Sequence, residues 1–361
     1  MPRTTRALTI AVATWSVLLP ASLQPCTNFC CKHDREWIFA ANYDWDIEYG
    51  LITTNKRRVS KVAFVQQDAS GRPAQWTSKY GSVTFNQYGR ELPLSGMNET
   101  GLVVGVMWLS QTEYPRADRR PILQDLQWVQ YQLDTAATVE EVISSDREIR
   151  IDEKNSQPIH FLVCDRNGGA AAIEFLNGRM RAHAGKGFMI RVLTNNTYEH
   201  CLRLWALCGG DEAHPSCKRA GNSLQRFIRA GNGIKARTVE RSGNPVSQAF
   251  RILDTVSVER TMFRVVYDTK AGRIHFRTKS RPRIRTIDVS RFDFSCGTPA
   301  RILDVLADLK GNVTDDFREY TASANYHLIK KSFAGTSFLS QVPESALRML
   351  ADYPDTLSCK E

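Results

Sequence analysis

A cysteine that begins a chain can be nucleophile and base at once. Cys26 is placed for this, in Gln24-Pro25-Cys26-Thr27, a few residues after an apolar leader. Arg3 and Arg6 give the leader a basic start. Residues 7–19 are apolar and uncharged, and Pro20-Ala21-Ser22 is small and turn-forming. That is the order of a secretory signal peptide. The apolar run is shorter than a membrane span needs. Cleavage immediately before Cys26 would put a thiol and a free α-amine on one carbon skeleton. Such an amine has an unperturbed pKa of about 8, so it can take the thiol's proton near neutrality. Pro25 disfavours signal peptidase at that bond. Cleavage after Ala21 or Ser22 leaves a short pro-segment and requires a second, autocatalytic cut. Two other uses of Cys26 stand beside this one. It is a disulfide candidate near Cys30 and Cys31, and a lipid anchor also ends at a Cys, although Leu23-Gln24-Pro25 lacks the small residues of that signal.

A base of this kind needs an acid to orient it. Asp44, in Asn42-Tyr43-Asp44-Trp45, follows an apolar run and can hold the amine. Read alone, it is a turn residue. Nine cysteines (26, 30, 31, 164, 201, 208, 217, 296 and 359) allow eight to pair in an oxidising compartment and leave one thiol. They include no CxxC spacing, so a zinc site is not expected. The net charge of +10 comes from scattered clusters, such as residues 56–58, 116–120 and 277–285, without interleaved aromatics. Solvated surface charge explains them better than nucleic-acid binding, and they would attract small anions. A papain-like arrangement would need a His in a suitable motif, which neither His160 nor His183 offers.

The elements around these residues alternate between strands and helix pairs. Strands are expected at residues 36–42, 60–66, 102–109, 159–164, 171–176 and 189–193. Residues 262–267 and 273–278 form a hairpin around a turn ending at Gly272, and Asn167-Gly168-Gly169 marks a second hairpin. Helices are expected at residues 123–133, 198–207, 224–229, 246–253 and 343–350, with another starting behind Thr138 as N-cap. The pattern is α+β with helices on sheet faces. It shows no clean domain boundary, only a C-terminal extension from about Gly311.

Over roughly residues 26–304 the chain resembles the choloylglycine hydrolase family, the bile salt hydrolases and penicillin V acylases among the N-terminal nucleophile hydrolases. The residues that carry the resemblance are Cys26-Thr27, Ala40-Ala41-Asn42-Tyr43-Asp44-Trp45, GMNETGLVVGVMWL (96–109), VLTNN (192–196), SLQRFIR (223–229) and ERTMFRVVYDTKAGRIHFRT (259–278). The resemblance implies a four-layer αββα sandwich with two antiparallel sheets between helical layers. It implies Cys26 as nucleophile with its amine as base, and Asp44 as the group that positions the amine. It implies Asn195 as oxyanion donor, Trp108 as oxyanion backbone and acyl-pocket wall, and Arg226 as the cation favouring thiolate. The chain departs from the family at Ala41, where the family has an Arg beside the nucleophile. Arg226 or Arg35 would then have to supply that charge.

The expectation is an exported, periplasmic or secreted cysteine amidohydrolase that cleaves a linear amide through an acyl-thioester. Residues 1–25 are leader and pro-segment, 26–310 the amidohydrolase domain, and 311–361 an extension packed on it. Penicillin V-like amides and N-acyl homoserine lactones are the favoured substrates. The alternatives are a conjugated bile salt hydrolase and a weakened member acting as an exported binding protein. No cofactor, nucleic acid or stable membrane insertion is expected. The resemblance implies a homo-oligomer, tetramer or dimer. Three Asn-x-Thr triplets, at Asn98, Asn195 and Asn312, would be glycosylation acceptors on a eukaryotic route, and a sugar on Asn195 would destroy the oxyanion site.

Overall fold

Two antiparallel sheets face one another at the centre of the molecule, and the strands that follow Cys26 lie in the first. A computed structural model describes residues 26–33, 36–66, 69–239 and 243–360; the leader and Arg35 lie outside them. The first sheet has seven strands, in the order Val192–Leu193, Thr27–His33, Glu36–Asp44, Thr261–Asp268, Arg273–Thr278, Arg285–Asp288 and Gly311–Asn312. Its last pair is parallel. The second has nine, in the order Arg179–Ala184, Ala170–Leu176, Ile159–Cys164, Val103–Trp108, Pro93–Asn98, Ser82–Asn86, Leu51–Asn55, Arg301–Asp304 and Arg318–Glu319.

Residues 38–42 of the Glu36–Asp44 strand are buried on both faces, which is why IFAAN reads as a continuous run rather than an alternation. One face meets the second sheet. The other meets helix Pro245–Thr255, where Asn42 Nδ2 donates to Leu253 O at 2.8 Å. Between the sheets, Phe85 packs edge-on to Tyr267 and Phe276, and Ser95 Oγ and Tyr267 OH are 2.7 Å apart. Helix Asp125–Thr135 covers the far side of the second sheet, with Trp128 against Phe161. Helix Asn222–Val239 lies with Pro245–Thr255 outside the first sheet. The layers are therefore helix, sheet, sheet, helix, as expected from the resemblance.

Several local readings change. The run at 189–193 is a strand only at Val192–Leu193, because the Ile190 N–H and carbonyl both bond the Tyr198 hydroxyl instead of a neighbouring strand. Ile122–Leu123 pairs with Arg150–Ile151, so the next helix starts at Asp125, whose carboxylate accepts from the Leu126 and Gln157 N–H groups. The run at 60–66 pairs only over Val59–Val62. The Thr138 cap forms as read, its hydroxyl accepting from Glu141 N. Helix Ala322–Ala334, capped by Thr321, has no counterpart in the sequence reading.

The cysteine arithmetic is corrected. Two disulfides form, Cys208–Cys217 and Cys296–Cys359, and Cys26, Cys30, Cys31, Cys164 and Cys201 are buried thiols. Among them Cys30 and Cys164 lie within hydrogen-bond reach of each other. Asn98 is buried too, with its amide donating to the Leu133 and Ala136 carbonyls, so it presents no glycosylation acceptor.

Close approach of the two sheets depends on Gly105. A Cβ there would fall 2.8 Å from both Asn28 Nδ2 and Phe39 Cζ. Gly105→Ala is expected to destabilise the fold by about 1–3 kcal/mol, the usual range for overpacking. A lowered urea midpoint at unchanged slope is the measurement; an unchanged midpoint contradicts the inter-sheet packing.

Candidate active site

The start of the Thr27–His33 strand is pinned by an arginine from a helix about two hundred residues away. Arg226, on helix Asn222–Val239, is 1 % exposed. Its Nη1 donates to the Cys26 carbonyl at 2.5 Å and to the Thr27 hydroxyl. Nη2 donates to Asn195 Oδ1 at 2.9 Å, and Nε to Asn222 Oδ1 at 2.8 Å. A guanidinium has five donors in a rigid fork, so one side chain orients several groups together. Burial lowers the Arg226 pKa, and the Asp44 charge offsets part of that.

The amide of Asn195 has its orientation fixed at both ends. With Oδ1 committed to Arg226, Nδ2 faces the other way and donates to the Trp108 carbonyl at 3.0 Å. The Asn195 backbone N–H donates to Ser223 Oγ at 2.9 Å. Thr197 then caps the following helix, Tyr198–Cys208. Trp108 thus meets Asn195 through its carbonyl, and its ring lies 6.4 Å from that of Trp45.

Asp44 ends the strand paired with Thr27–His33, in a register that sets Asn42 opposite Thr27. Its backbone carbonyl accepts from Cys26 Sγ at 3.9 Å. Its carboxylate is fully buried, and neither oxygen has a hydrogen-bond donor in good geometry among the described residues. Burial raises its pKa from 3.8 to about 7, against smaller opposing effects from the Thr261 hydroxyl and from Arg226, Arg264 and Arg260. A buried carboxylate touched by the Thr261 hydroxyl but in no ion pair among the described residues is a receptor for a cation. Burial, and then the Asp44 charge, also push the Cys26 thiol up to about 12, with Arg226 opposing. At neutral pH the thiol therefore keeps its proton until a base takes it.

Cys26, Asp44, Asn195, Trp108 and Arg226 are brought together from five separate elements. Thr27, Asn222 and Ser223 join them as supports; Ser223 lies within the SLQRFIR stretch, whereas Thr27 and Asn222 gave no signal beyond adjacency. His160 and His183 both bond Glu174. A cleft of about 660 Å³, lined by Thr112, Glu113, Arg116 and Glu153 among others, touches none of the five site residues. No group of three or more metal-ligating side chains occurs among the described residues.

Ala41 faces the space between the sheets, opposite Asn28. The space beside it is about 20 Å³, closed by Phe85, Leu94 and Phe263. That is room for about one water molecule, not for a guanidinium.

A two-sheet αββα fold with a cysteine at the head of a central strand defines an N-terminal nucleophile type of architecture. The family model for linear amide C–N hydrolases of the choloylglycine hydrolase family matches residues 26–205, and the chain belongs to that family. A penicillin V acylase of Pectobacterium atrosepticum is 28% identical over 265 residues, which are 61% of this chain and 69% of that protein. The structure of a penicillin V acylase from Agrobacterium tumefaciens superposes with a TM-score of 0.70 at 28% identity, over 82% of this chain and 98% of that one. A variant of conjugated bile acid hydrolase from Clostridium perfringens shares the fold, with a TM-score of 0.63 at 17% identity over 77% of this chain and 96% of that one.

Two predictions follow from the geometry of this site. Asp44 is held above its unfolded pKa of 3.8, at about 7. Its contribution to stability is therefore full below pH 3.8 and is lost as pH rises through about 7. In uncleaved chain carrying Cys26→Ala, adding Asp44→Asn should remove that decline and raise stability at pH 8 by of order 2–4 kcal/mol. Urea midpoints from pH 4 to 8 measure it, and parallel profiles with and without the carboxylate would contradict the burial. Separately, Ala41→Arg should lower the thermal midpoint, because overpacking costs about 1–3 kcal/mol before any charge is buried. An unchanged midpoint would show that the sheets open to admit the side chain.

Proposed function

We propose that the protein is an exported cysteine amidohydrolase whose nucleophile becomes active when the Pro25–Cys26 bond is cut. The observation that carries this reading is the buried Asp44 carboxylate beside Cys26, which has no ion-pair partner among the described residues. A new α-ammonium at Cys26 would be its counter-ion. That charge would draw the Asp44 pKa down, and the same nitrogen in its neutral form would be a base for the thiol on its own residue.

In the reaction the α-amine, in its neutral form, takes the thiol proton as Cys26 Sγ bonds to the amide carbon. Negative charge gathers on the carbonyl oxygen. Asn195 Nδ2 has a second N–H besides the one given to Trp108, and the backbone at Trp108 offers the other donor. The protonated amine returns its proton to the leaving nitrogen as the C–N bond breaks. An acyl-thioester remains on Cys26. Water, losing a proton to the amine, adds to the thioester, and thiol and carboxylic acid are released. Arg226 holds the Cys26 carbonyl and the Asn195 amide through both half-reactions and touches neither reacting bond.

The acyl side of the substrate is apolar. Trp45 follows Asp44 and packs with Tyr43, Tyr88 and Trp108, which favours penicillin V-like amides and N-acyl homoserine lactones over bulky sterol acyl groups. A second reading rests on Ala41. Without the family's cation the chain would be an exported binding protein that retains its upstream residues. Intact mass separates the two, since an enzyme begins at Cys26 and a binding protein does not.

The processed protein should hydrolyse penicillin V or an acyl homoserine lactone faster than a glycine-conjugated bile salt. Cys26→Ala should abolish turnover. Asn195→Ala should lower kcat by about 10²–10³, the usual cost of one oxyanion donor. Turnover by chain still blocked at the Cys26 nitrogen would overturn the proposal.

A further inference from the structure

The C-terminal segment reaches the apolar surface beside the nucleophile. Helix Ala322–Ala334 ends at Gly335, and residues 336–339 turn back over the loop that follows Asp44. The Phe338 ring stands edge-on to Trp45, with centroids 6.4 Å apart. Trp108 lies at the same distance from Trp45 in a tilted contact. Trp45 is therefore packed by both rings, and it is the residue next to Asp44, while the Trp108 carbonyl holds Asn195.

The turn is fixed rather than draped. Thr336 is fully buried, and its hydroxyl lies 2.9 Å from Tyr88 OH, which itself accepts from Trp45 Nε1 at 2.5 Å. Phe333 packs edge-on to Tyr88. A Cβ on Gly335 would fall 2.6 Å from Ile47 Cγ2, so the segment presses directly on the loop after Asp44. Yet Phe338 and Trp108 are only half-buried, whereas Trp45 is 7 % exposed. Two partly open rings around a closed one form a wall with apolar surface left over. Phe338 also lies beyond residues 26–205, the span matched by the family model.

We infer that Phe338 is a specificity-determining residue: the C-terminal segment supplies one wall of the acyl-binding surface, which takes an acyl group ending in an aromatic ring. The inference rests on the reading of Cys26 as an acyl-transfer nucleophile. Aromatic rings add edge-to-face attraction to simple area burial, so a ring set against Phe338 gains more than an alkyl chain of similar size. The segment acts through binding, not through the reacting atoms.

The test uses two amides of one chromogenic amine, one phenoxyacetylated and one acetylated, on processed protein. Phe338→Leu keeps apolar bulk in the wall, and Phe338→Ala removes it. Both should lower the ratio of kcat/KM for the phenoxyacetyl amide to that for the acetyl amide, Phe338→Ala by about tenfold, as expected for losing roughly one ring contact and its buried area. The change should lie in KM. A structural lesion would depress both substrates alike, so an unchanged ratio, or a fall confined to kcat, overturns the inference. If the processed wild type hydrolyses neither amide, the amidohydrolase reading fails separately. Quenching of tryptophan fluorescence by phenoxyacetate then decides: quenching that weakens in Phe338→Leu supports the wall, and quenching equal in both proteins, or absent, overturns it.

Discussion

The fork of hydrogen bonds made by the buried Arg226 guanidinium is the interaction on which the rest of the site depends. It joins the first residues of the central strand, the Asn195 turn and the start of its own helix. Placing an arginine at 1 % exposure carries a large desolvation cost. That cost is met by oxygen acceptors on every side and by the nearby Asp44 charge. The result is rigidity where chemistry needs it. The chain start is held through its carbonyl, which leaves the sulfur and nitrogen of Cys26 free of the fork.

Charge in this region is arranged in an unfinished way. A buried cation is saturated with neutral acceptors, while a buried anion has no donor in good geometry. The carboxylate's pKa has risen to about 7 and the neighbouring thiol's to about 12, so at neutral pH the thiol keeps its proton. In the proposed cleaved form, a positive charge at the Cys26 nitrogen would oppose both effects. Ala41 fits this arrangement: the space beside it is too small for a further cation, and Arg226 is the cation nearest Cys26 whose charge favours its thiolate.

The apolar side of the site is built from chain segments far apart in sequence. Trp45 follows the carboxylate strand, Trp108 ends a strand of the other sheet, and Phe338 comes from the last fifty residues. These last residues also add strands: Gly311–Asn312 pairs in the first sheet and Arg318–Glu319 in the second. They are woven into the two-sheet core rather than set apart from it.

Much was legible in the sequence because it is local. The hairpin around Gly272 and the Thr138 cap depend on near neighbours, and both formed as read. The order of short motifs from Cys26 to residue 278 carried the family and, with it, the αββα layers and the five site residues. Other features were not legible, because they are settled by contacts between distant residues. The Ile190 backbone chose a tyrosine hydroxyl over a strand partner, and cysteine parity said nothing about which cysteines form the two disulfides. The sequence by itself determined which residue types stand at Cys26 and around it and what chemistry they can do. Only the tertiary structure decided that Asp44 is buried with no ion-pair partner among the described residues, that Arg226 grips Cys26, and that Phe338 reaches Trp45, because burial and long-range hydrogen bonds exist only once the sheets and helices have closed on one another.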